Sequence, residues 1–382
     1  MDLPLVIGLI SLLLYLLVGT ETLLGARRIG RLGDIAPTLK QKYPPVSIIV
    51  PARNEAAAIP EALASLLALD YPDLEIIVVN DRSTDETGPL LNRIAAEHPR
   101  LKVHHLEELP AGCLGKNHAL WYGAARSRGK ILLFTDADVV LTPTSLGRAV
   151  NFLEQERLDH LALFFAAEVP GGLLNMMIID FACAFMAWMK PWKARRAGSR
   201  YHIGVGAFNL VRAEVYQLCG THRAIAMEPV DDIELGRLIK ENGGAQDCLF
   251  GNHSVSVKWY HSVPEMVRGL EKNVFPFSNY SLPKIAAASL AIVILRIWPL
   301  AAIFLTSTPV AVLNGLLIVI QAGLAAVAAG KSSIPVRYVV WLPVSPFIGL
   351  YILWNSTIRT ILQGGIVWRD TFYSLTELRR KE

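Results

Sequence analysis

Apolar and polar positions divide the chain into three zones. Leu3 to Thr20 carry no charge, and such a run approaches the ~20 residues that cross a hydrocarbon core of about 30 Å. A second apolar zone runs from Ile285 to Trp354, with no Asp or Glu and only Arg296, Lys331 and Arg337 as charges. It is too long for one span and predicts two to four, with helices over Ile285–Thr306, Val310–Ala329 and Val336–Leu362. The first of these puts Arg296 near mid-membrane, at a cost of roughly 3 kcal/mol or more. Either Arg296 faces an anionic partner, or Ile285–Leu295 lies along the interface. Pro343 and Pro346 kink the third segment or make it re-entrant.

Between Lys42 and Tyr280 short apolar runs alternate with helix-like stretches. Val46–Val50 (VSIIV), Leu74–Val79 (LEIIVV), Leu101–His105 and Ile131–Phe134 (ILLF) read as strands, because continuous β-branched runs suit a sheet covered on both faces. Helices are predicted over Glu55–Leu69, Thr84–Glu97 and around His118–Arg128. This alternation predicts an α/β domain with a mostly parallel sheet and right-handed crossovers. Ligands of such sheets bind at the carboxyl ends of the strands.

Composition agrees with the zoning. The 382 residues are 52% hydrophobic and only 18% charged, against about 25% charged in soluble domains. Disorder is excluded, and a net charge of +4 gives no argument for nucleic acid as a partner. Cys113, Cys183, Cys219 and Cys248 show no paired spacing, so neither a zinc site nor a disulfide framework is indicated. The chain starts Met-Asp-Leu-Pro, and Arg27, Arg28 and Arg31 follow the first apolar run. That order reads as an uncleaved anchor rather than a signal peptide, with the basic side in the cytosol. Arg369, Arg379, Arg380 and Lys381 want the tail there too, so one of the three C-terminal segments is not a simple crossing.

The strand ends carry the chemistry. Pro51-Ala-Arg-Asn-Glu55 follows the first strand, Asn80-Asp-Arg-Ser-Thr-Asp85 the second, and Thr135-Asp-Ala-Asp138 the fourth. No GxGxxG or P-loop follows the first strand, which removes the common dinucleotide and P-loop readings. Asp136 and Asp138 are placed on one face of an extended strand end. Two close carboxylates there suit Mg²⁺ or Mn²⁺ completed by substrate phosphates; the alternative is a turn residue beside a helix cap. Ser83 or Thr84 is expected to cap a helix, with Glu86 in a capping box. Asp81 can accept a hydrogen bond from a nucleobase. Asp231-Asp232 opens a helix, where acidic residues also suit the macrodipole; adjacent like charges raise one pKa and suit a general base. Leu173–Met189, followed by Lys190, Trp192, Lys193, Arg195 and Arg196, reads as a membrane-interface helix, with a buried core helix as the alternative.

The ordered runs VSIIVPARNEAAAIPEALASLLALDYPDLEIIVVNDRSTDET, GKNHALWYGA, ILLFTDADV, GAFNLVR and DDIELGRLIK resemble a family 2 glycosyltransferase with a GT-A fold. The resemblance covers Val46 to Tyr280. VKWYHS, GLEKN at Gly269–Asn273 and GGIVWRD are similar to the membrane-bound, lipid-glycosylating branch, which includes ceramide glucosyltransferases and hopanoid-associated and carotenoid glycosyltransferases. The resemblance implies that Pro51, Arg53 and Glu55 line the nucleotide pocket and that Asp81 contacts uracil. It places Lys116 near the base or diphosphate and makes Asp136 and Asp138 the DxD pair, with Asp138 foremost as metal ligand. Asp232 matches the catalytic base, and Asp231 stands where the family more often has Glu. The family inverts configuration at the sugar carbon. No tryptophan follows an arginine, so the QxxRW motif of processive members is missing. Trp259–Asn273 takes its place in the order, and Trp259, Tyr260, His261, Arg268 and Lys272, with Asp231, are candidates for the acceptor side, a purely structural role being the alternative for each.

The expected architecture is a GT-A, Rossmann-like α/β domain with N- and C-terminal transmembrane helices. Residues 1–24 form the anchor and 25–283 the cytosolic catalytic domain, with an interface helix near 173–196. Residues 284–363 form a C-terminal membrane block and 364–382 a basic tail. The expected function is inverting, metal-dependent, non-processive transfer from a UDP-sugar to a lipid hydroxyl at the inner membrane. Transfer to polyprenyl phosphate is one rival, and a non-catalytic nucleotide-sugar-binding membrane subunit is the other.

Overall fold

The computed structural model describes residues 2–37, 43–369 and 371–379. Lys42, Arg380 and Lys381 of the sequence reading lie outside the described residues. The chain forms two compact units. The sheet unit gathers Arg28–Glu168 and Pro191–Lys258; the helical unit gathers Met1–Arg27, Val169–Lys190 and Trp259–Glu382.

In chain order the first elements are α1 (Leu3–Ala26), β1 (Gly30–Arg31), β2 (Val46–Ala52), α2 (Ile59–Leu67), β3 (Leu74–Asp81), α3 (Thr87–Glu97) and β4 (Leu101–Leu106). Then come α4 (Gly115–Ala124), β5 (Ile131–Phe134), β6 (Val139–Leu141), α5 (Ser145–Gln155), β7 (His160–Glu168) and α6 (Gly172–Met189). After them lie β8 (Asn209–Arg212), α7 (Ala213–Leu218), α8 (Asp231–Glu241), β9 (Gln246–Lys258) and α9 (Val263–Phe277). The chain continues through α10 (Leu282–Ile292), α11 (Trp298–Leu305), α12 (Thr308–Lys331) and α13 (Ser345–Gln363). A hairpin of β10 (Gly365–Trp368) and β11 (Thr371–Ser374) and the short α14 (Leu375–Arg379) follow.

In the sheet unit the strand order is β1-β9-β7-β8-β5-β2-β3-β4, with β6 paired to β9. The half that runs from β5 through β2 and β3 to β4 is parallel. β8 runs antiparallel to both β5 and β7, and β6 antiparallel to β9. Every residue of β2 and β3 is buried, as continuous apolar runs require when helices cover both faces. β3 extends past Val79 to Asp81, which pairs in register with Leu106 of β4. The ladder thereby carries Asp81 to the sheet's carboxyl edge.

Two helices start later than their sequence pattern predicts. α2 begins at Ile59, because Asn54 takes a left-handed φ of 55° and the next backbone donors turn away from a helix. Asn54 N donates to Ser83 Oγ, Glu55 N to Thr87 Oγ1 and Ala56 N to Asp85 Oδ2, at 3.0, 2.8 and 3.2 Å. Ser83 therefore caps no helix, and α3 begins at Thr87 with no side-chain cap. The side chains expected to cap α3 tie two strand-end loops together instead.

Among the described residues four segments are long and apolar enough to cross a membrane: Leu3–Ala26, Gly172–Lys193, Leu282–Leu305 and Thr308–Lys331. The expected helix over Val336–Leu362 is not continuous. A 3-10 segment, Val336–Trp341, precedes α13, and Pro343 and Pro346 flank the break. A π-helical turn, Val293–Ile297, joins α10 to α11. The wider turn releases a carbonyl. Leu295 O accepts from Tyr15 Oη at 3.4 Å and from Gln321 Nε2 at 2.9 Å. Arg296 does face an anion: its Nη2 lies 2.9 Å from Asp180 Oδ1 and 3.1 Å from Oδ2.

Candidate active site

In the sheet unit a small polar pocket is lined among others by Lys116, Thr135, Asp136, Gly206, Asn209, His222 and Asp231. Lys116, in the first turn of α4, holds its centre. Its Nζ lies 2.8 Å from Asp136 Oδ1 and 3.1 Å from Asp231 Oδ1. Burial works against the ammonium, but Asp136, Asp231 and Asp232 outweigh it and push its pKa up, so it stays charged. One cation thus bridges the β5 loop and the start of α8.

Asp136 and Asp138 do not share the face of an extended strand. The chain leaves β5 at Phe134 and turns through Ala137 and Asp138 before β6, so the period-two argument fails there although both carboxylates remain close. Burial raises the Asp138 pKa, and the negative charges of Asp136 and Glu55 raise it further. Asp231 is 5% exposed. Burial pushes its carboxyl up to about 6, with Lys116 opposing and Asp232 and Asp136 adding to the rise. Asp232 is oriented by the backbone, since Gly206 N donates to its Oδ2 at 2.7 Å.

Gly206 and Gly204 make this approach possible. A Cβ on Gly206 would lie 2.8 Å from Asp136 Oδ2, and one on Gly204 only 1.7 Å from the Asp232 carbonyl oxygen. Asn117 fixes the segment before α8 by donating to the carbonyls of Ile225, Ala226 and Glu228 at 2.7, 3.2 and 3.0 Å. Asn209 Oδ1 accepts from Val205 N at 3.0 Å and meets His160 Nε2 at 3.1 Å. Sequence reasoning did not assign these residues. The signals were the GKNHALWYGA run, which contains Asn117, and the GAFNLVR run, which contains Gly206 and Asn209.

A second cluster surrounds Asp81. Arg82 Nε donates to Asp81 Oδ1 at 2.7 Å and Arg82 Nη2 to Oδ2 at 3.0 Å, while Arg53 Nη1 is 3.8 Å from Oδ2. Arg82 holds this pair from a left-handed φ of 54°. A Cβ at Gly115 would come within 2.2 Å of Asp81 Oδ2, so the carboxylate packs directly on the first turn of α4. Pro51 is buried near the end of β2, and Glu55 sits in the loop after it.

Trp259, Tyr260, His261, Arg268 and Lys272 belong to the helical unit. Trp259 stacks on Tyr260 with centroids 5.2 Å apart and meets Phe181 of α6 edge-on at 5.7 Å. His261 is exposed, 3.4 Å from Glu265. Arg268 lies exposed on α9, and Lys272 Nζ sits 3.9 Å over the Trp368 ring.

Among the described residues no three carboxylate, imidazole or thiol groups close into a complete metal cage. A divalent ion that keeps one or two carboxylates and takes its other oxygens from substrate phosphates needs no such cage. The uncompensated charge that lifts Asp138 fits such an ion.

Comparison with known proteins places the chain among glycosyltransferase-like sequences. Residues 47–218 match the family model "Glycosyl transferase family 2". A probable glycosyltransferase, YdaM, of Bacillus subtilis is 39% identical over 100 residues, 26% of this chain and 24% of that one. A beta-monoglucosyldiacylglycerol synthase of Nostoc sp. is 29% identical over 246 residues, 61% of this chain and 50% of that one. A 4,4'-diaponeurosporenoate glycosyltransferase of Staphylococcus aureus is 25% identical over 266 residues, 66% of this chain and 67% of that one. The chain therefore spans from a quarter to two thirds of these relatives' lengths. Among solved structures, the mannosyltransferase PcManGT from Pyrobaculum calidifontis, in complex with GDP-Man and Mn²⁺, superposes with a TM-score of 0.55 at 20% identity. That match covers 94% of this chain and 99% of that one, and at this identity the likeness speaks for the fold alone. Residues 47–218 thus match glycosyltransferase family 2 on a GT-A-like fold, in a chain whose described residues include apolar helices long enough to cross a membrane.

Proposed function

We propose that the protein is an inverting, non-processive glycosyltransferase that moves a sugar from a UDP-sugar to a hydroxyl of a membrane lipid. It would act at the cytosolic face of the inner membrane, as a multi-pass protein. The observation that carries the reading is the Lys116 bridge between Asp136 and Asp231, beside an Asp232 carboxylate fixed by Gly206 N–H. The names of the lipid-glycosylating relatives support a lipid acceptor.

Each chain residue has a task in this reading. Asp81, held by Arg82 and flanked by Arg53, accepts the N–H of the base. Asp136 and Asp138 would hold Mg²⁺ or Mn²⁺, which neutralises charge on the departing diphosphate, an effect that can amount to several kcal/mol. Lys116 holds Asp136 and Asp231 together near the leaving group. Asp232 takes the proton of the acceptor hydroxyl, typically a 10²–10⁴-fold effect. The oxygen then attacks the anomeric carbon from the face opposite UDP, forming the new C–O bond as the bond to the diphosphate breaks. A polyprenyl phosphate acceptor is already anionic and has no such need of a base.

The test incubates membranes containing the full chain with labelled UDP-sugars and a lipid extract, and identifies the product by mass spectrometry. A glycolipid with inverted anomeric configuration is expected. Asp232→Asn should bind UDP as before and lose at least about 10²-fold in turnover. Wild-type turnover in that variant would remove Asp232 from the base role.

A further inference from the structure

We propose that α6 does not cross the membrane although it is long and apolar enough to do so. It lies within the leaflet with both of its ends on one side, while α1, α10–α11 and α12 make three crossings that return the chain after α12 to the side on which α1 ends. The inference needs no assumption about sugar transfer.

Connectivity carries the first half. α6 leaves the sheet unit after β7 and returns to it at Pro191, ahead of β8. β7 and β8 are hydrogen-bonded neighbours, His160 opposite Val211 and Ala162 opposite Asn209. A bilayer cannot separate two adjacent strands of one sheet, since buried backbone groups must keep their partners. Both ends of α6 therefore stay on one side. α6 is also the least apolar of the four segments and carries an acid, Asp180, in mid-helix. Its outward face offers Phe181 and Trp188, 44% and 72% exposed, a suitable surface for lipid.

Helix directions carry the second half. A Cβ on Gly8 of α1 would meet Leu313 of α12 at 2.7 Å, and one on Gly19 would meet Leu324 at 3.1 Å. Lys331 Nζ donates to Ala26 O at 3.2 Å. The three pairs keep one constant offset, so α1 and α12 run parallel and end on the same side. α11 packs back along α12 after the short link Thr306–Ser307, so α10–α11 runs the other way. The flanking charges agree with the positive-inside rule. Arg27, Arg28, Arg31, Lys284, Lys331 and Arg337 all fall at one end of these helices, and no basic residue falls at the Thr306–Ser307 end. The Asp180–Arg296 pair clasps α6 to the reversed crossing and answers the cost of a charge there.

The test labels full-length protein with a membrane-impermeant maleimide. In right-side-out vesicles Ser307→Cys should label, while Glu168→Cys and Arg196→Cys should not; in inverted vesicles the latter two should label and Ser307→Cys should not. External labelling of Glu168→Cys or Arg196→Cys would show that α6 crosses and overturn the proposal. A silent external Ser307→Cys that labels after inversion would overturn the three crossings. As a check independent of cysteine placement, Asp180→Arg and Arg296→Asp should each lower the membrane-inserted protein several-fold, and the double swap should restore most of it. Equal loss in the swap would overturn the clasp.

Discussion

Single residues set the charge balance of the site. Lys116 is the ammonium between Asp136 and Asp231, and removing one partner of a buried pair leaves the other uncompensated at about 3–5 kcal/mol. Lys116→Met is therefore expected to lower the unfolding free energy of the purified protein by an amount approaching that, as urea titration would show. A change below about 0.5 kcal/mol, the level of an ordinary surface substitution, would mean that the bridge carries no charge compensation. Two histidines give the sheet unit a pH limit. Burial depresses His160 from 6.5 to about 4 and His222 from 6.5 to about 3. Their folded pKa values lie below the unfolded ones, so the unfolded chain takes up protons first. Stability is complete above pH 6.5 and falls as pH drops towards 4, at about 1.4 kcal/mol per pH unit for each group. Urea midpoints should follow that slope, and it should flatten in a His160→Gln, His222→Gln double variant. The acidic pairs were legible from sequence because their chemistry is local. Asn117 was not, because its three carbonyl partners lie more than 100 residues away.

At the scale of elements, the sequence reading succeeded where one rule governs a whole segment. β2, β3 and β5 are continuous apolar runs, and their buried ladders follow from that pattern alone. It failed where side chains from elsewhere redirect the backbone. Ser83, Asp85 and Thr87 bind the turn after β2, so α2 and α3 both start late and no capping box forms. The extended geometry assumed for Asp136 and Asp138 failed for a related reason, since the link to β6 must turn. The segment before α8 shows how such contacts matter to function. Asn117→Ala would leave three carbonyls without their donor, at about 1–3 kcal/mol for a buried group, and let the approach to Asp231 loosen. Its expected signature is a raised KM for the proposed sugar donor in a protein that still folds. An unchanged KM would show that the loop is held by other means.

At the scale of the whole molecule, charge-poor sequence at the two ends predicted membrane helices, and among the described residues three suitable segments lie there, with a fourth, Gly172–Lys193, in mid-chain. The Asp180–Arg296 pair could not be read from sequence, because its members are 116 positions apart and one sits in a stretch read as interfacial. Order of synthesis adds a constraint. β9 lies between β1 and β7 and also pairs with β6, so three strands made earlier wait for it. Gly30 meets Leu249, a gap that takes about 10–40 s to translate at typical rates. Ribosome-bound chains ending before Gln246 should be cut readily by protease in the sheet region, and chains extending past Trp259 should resist. Equal resistance in both would mean that the sheet closes without β9. The nascent chain must hold an open sheet edge until the last strand of this sheet emerges, so the ribosome's pace sets how long that edge is exposed to mispairing.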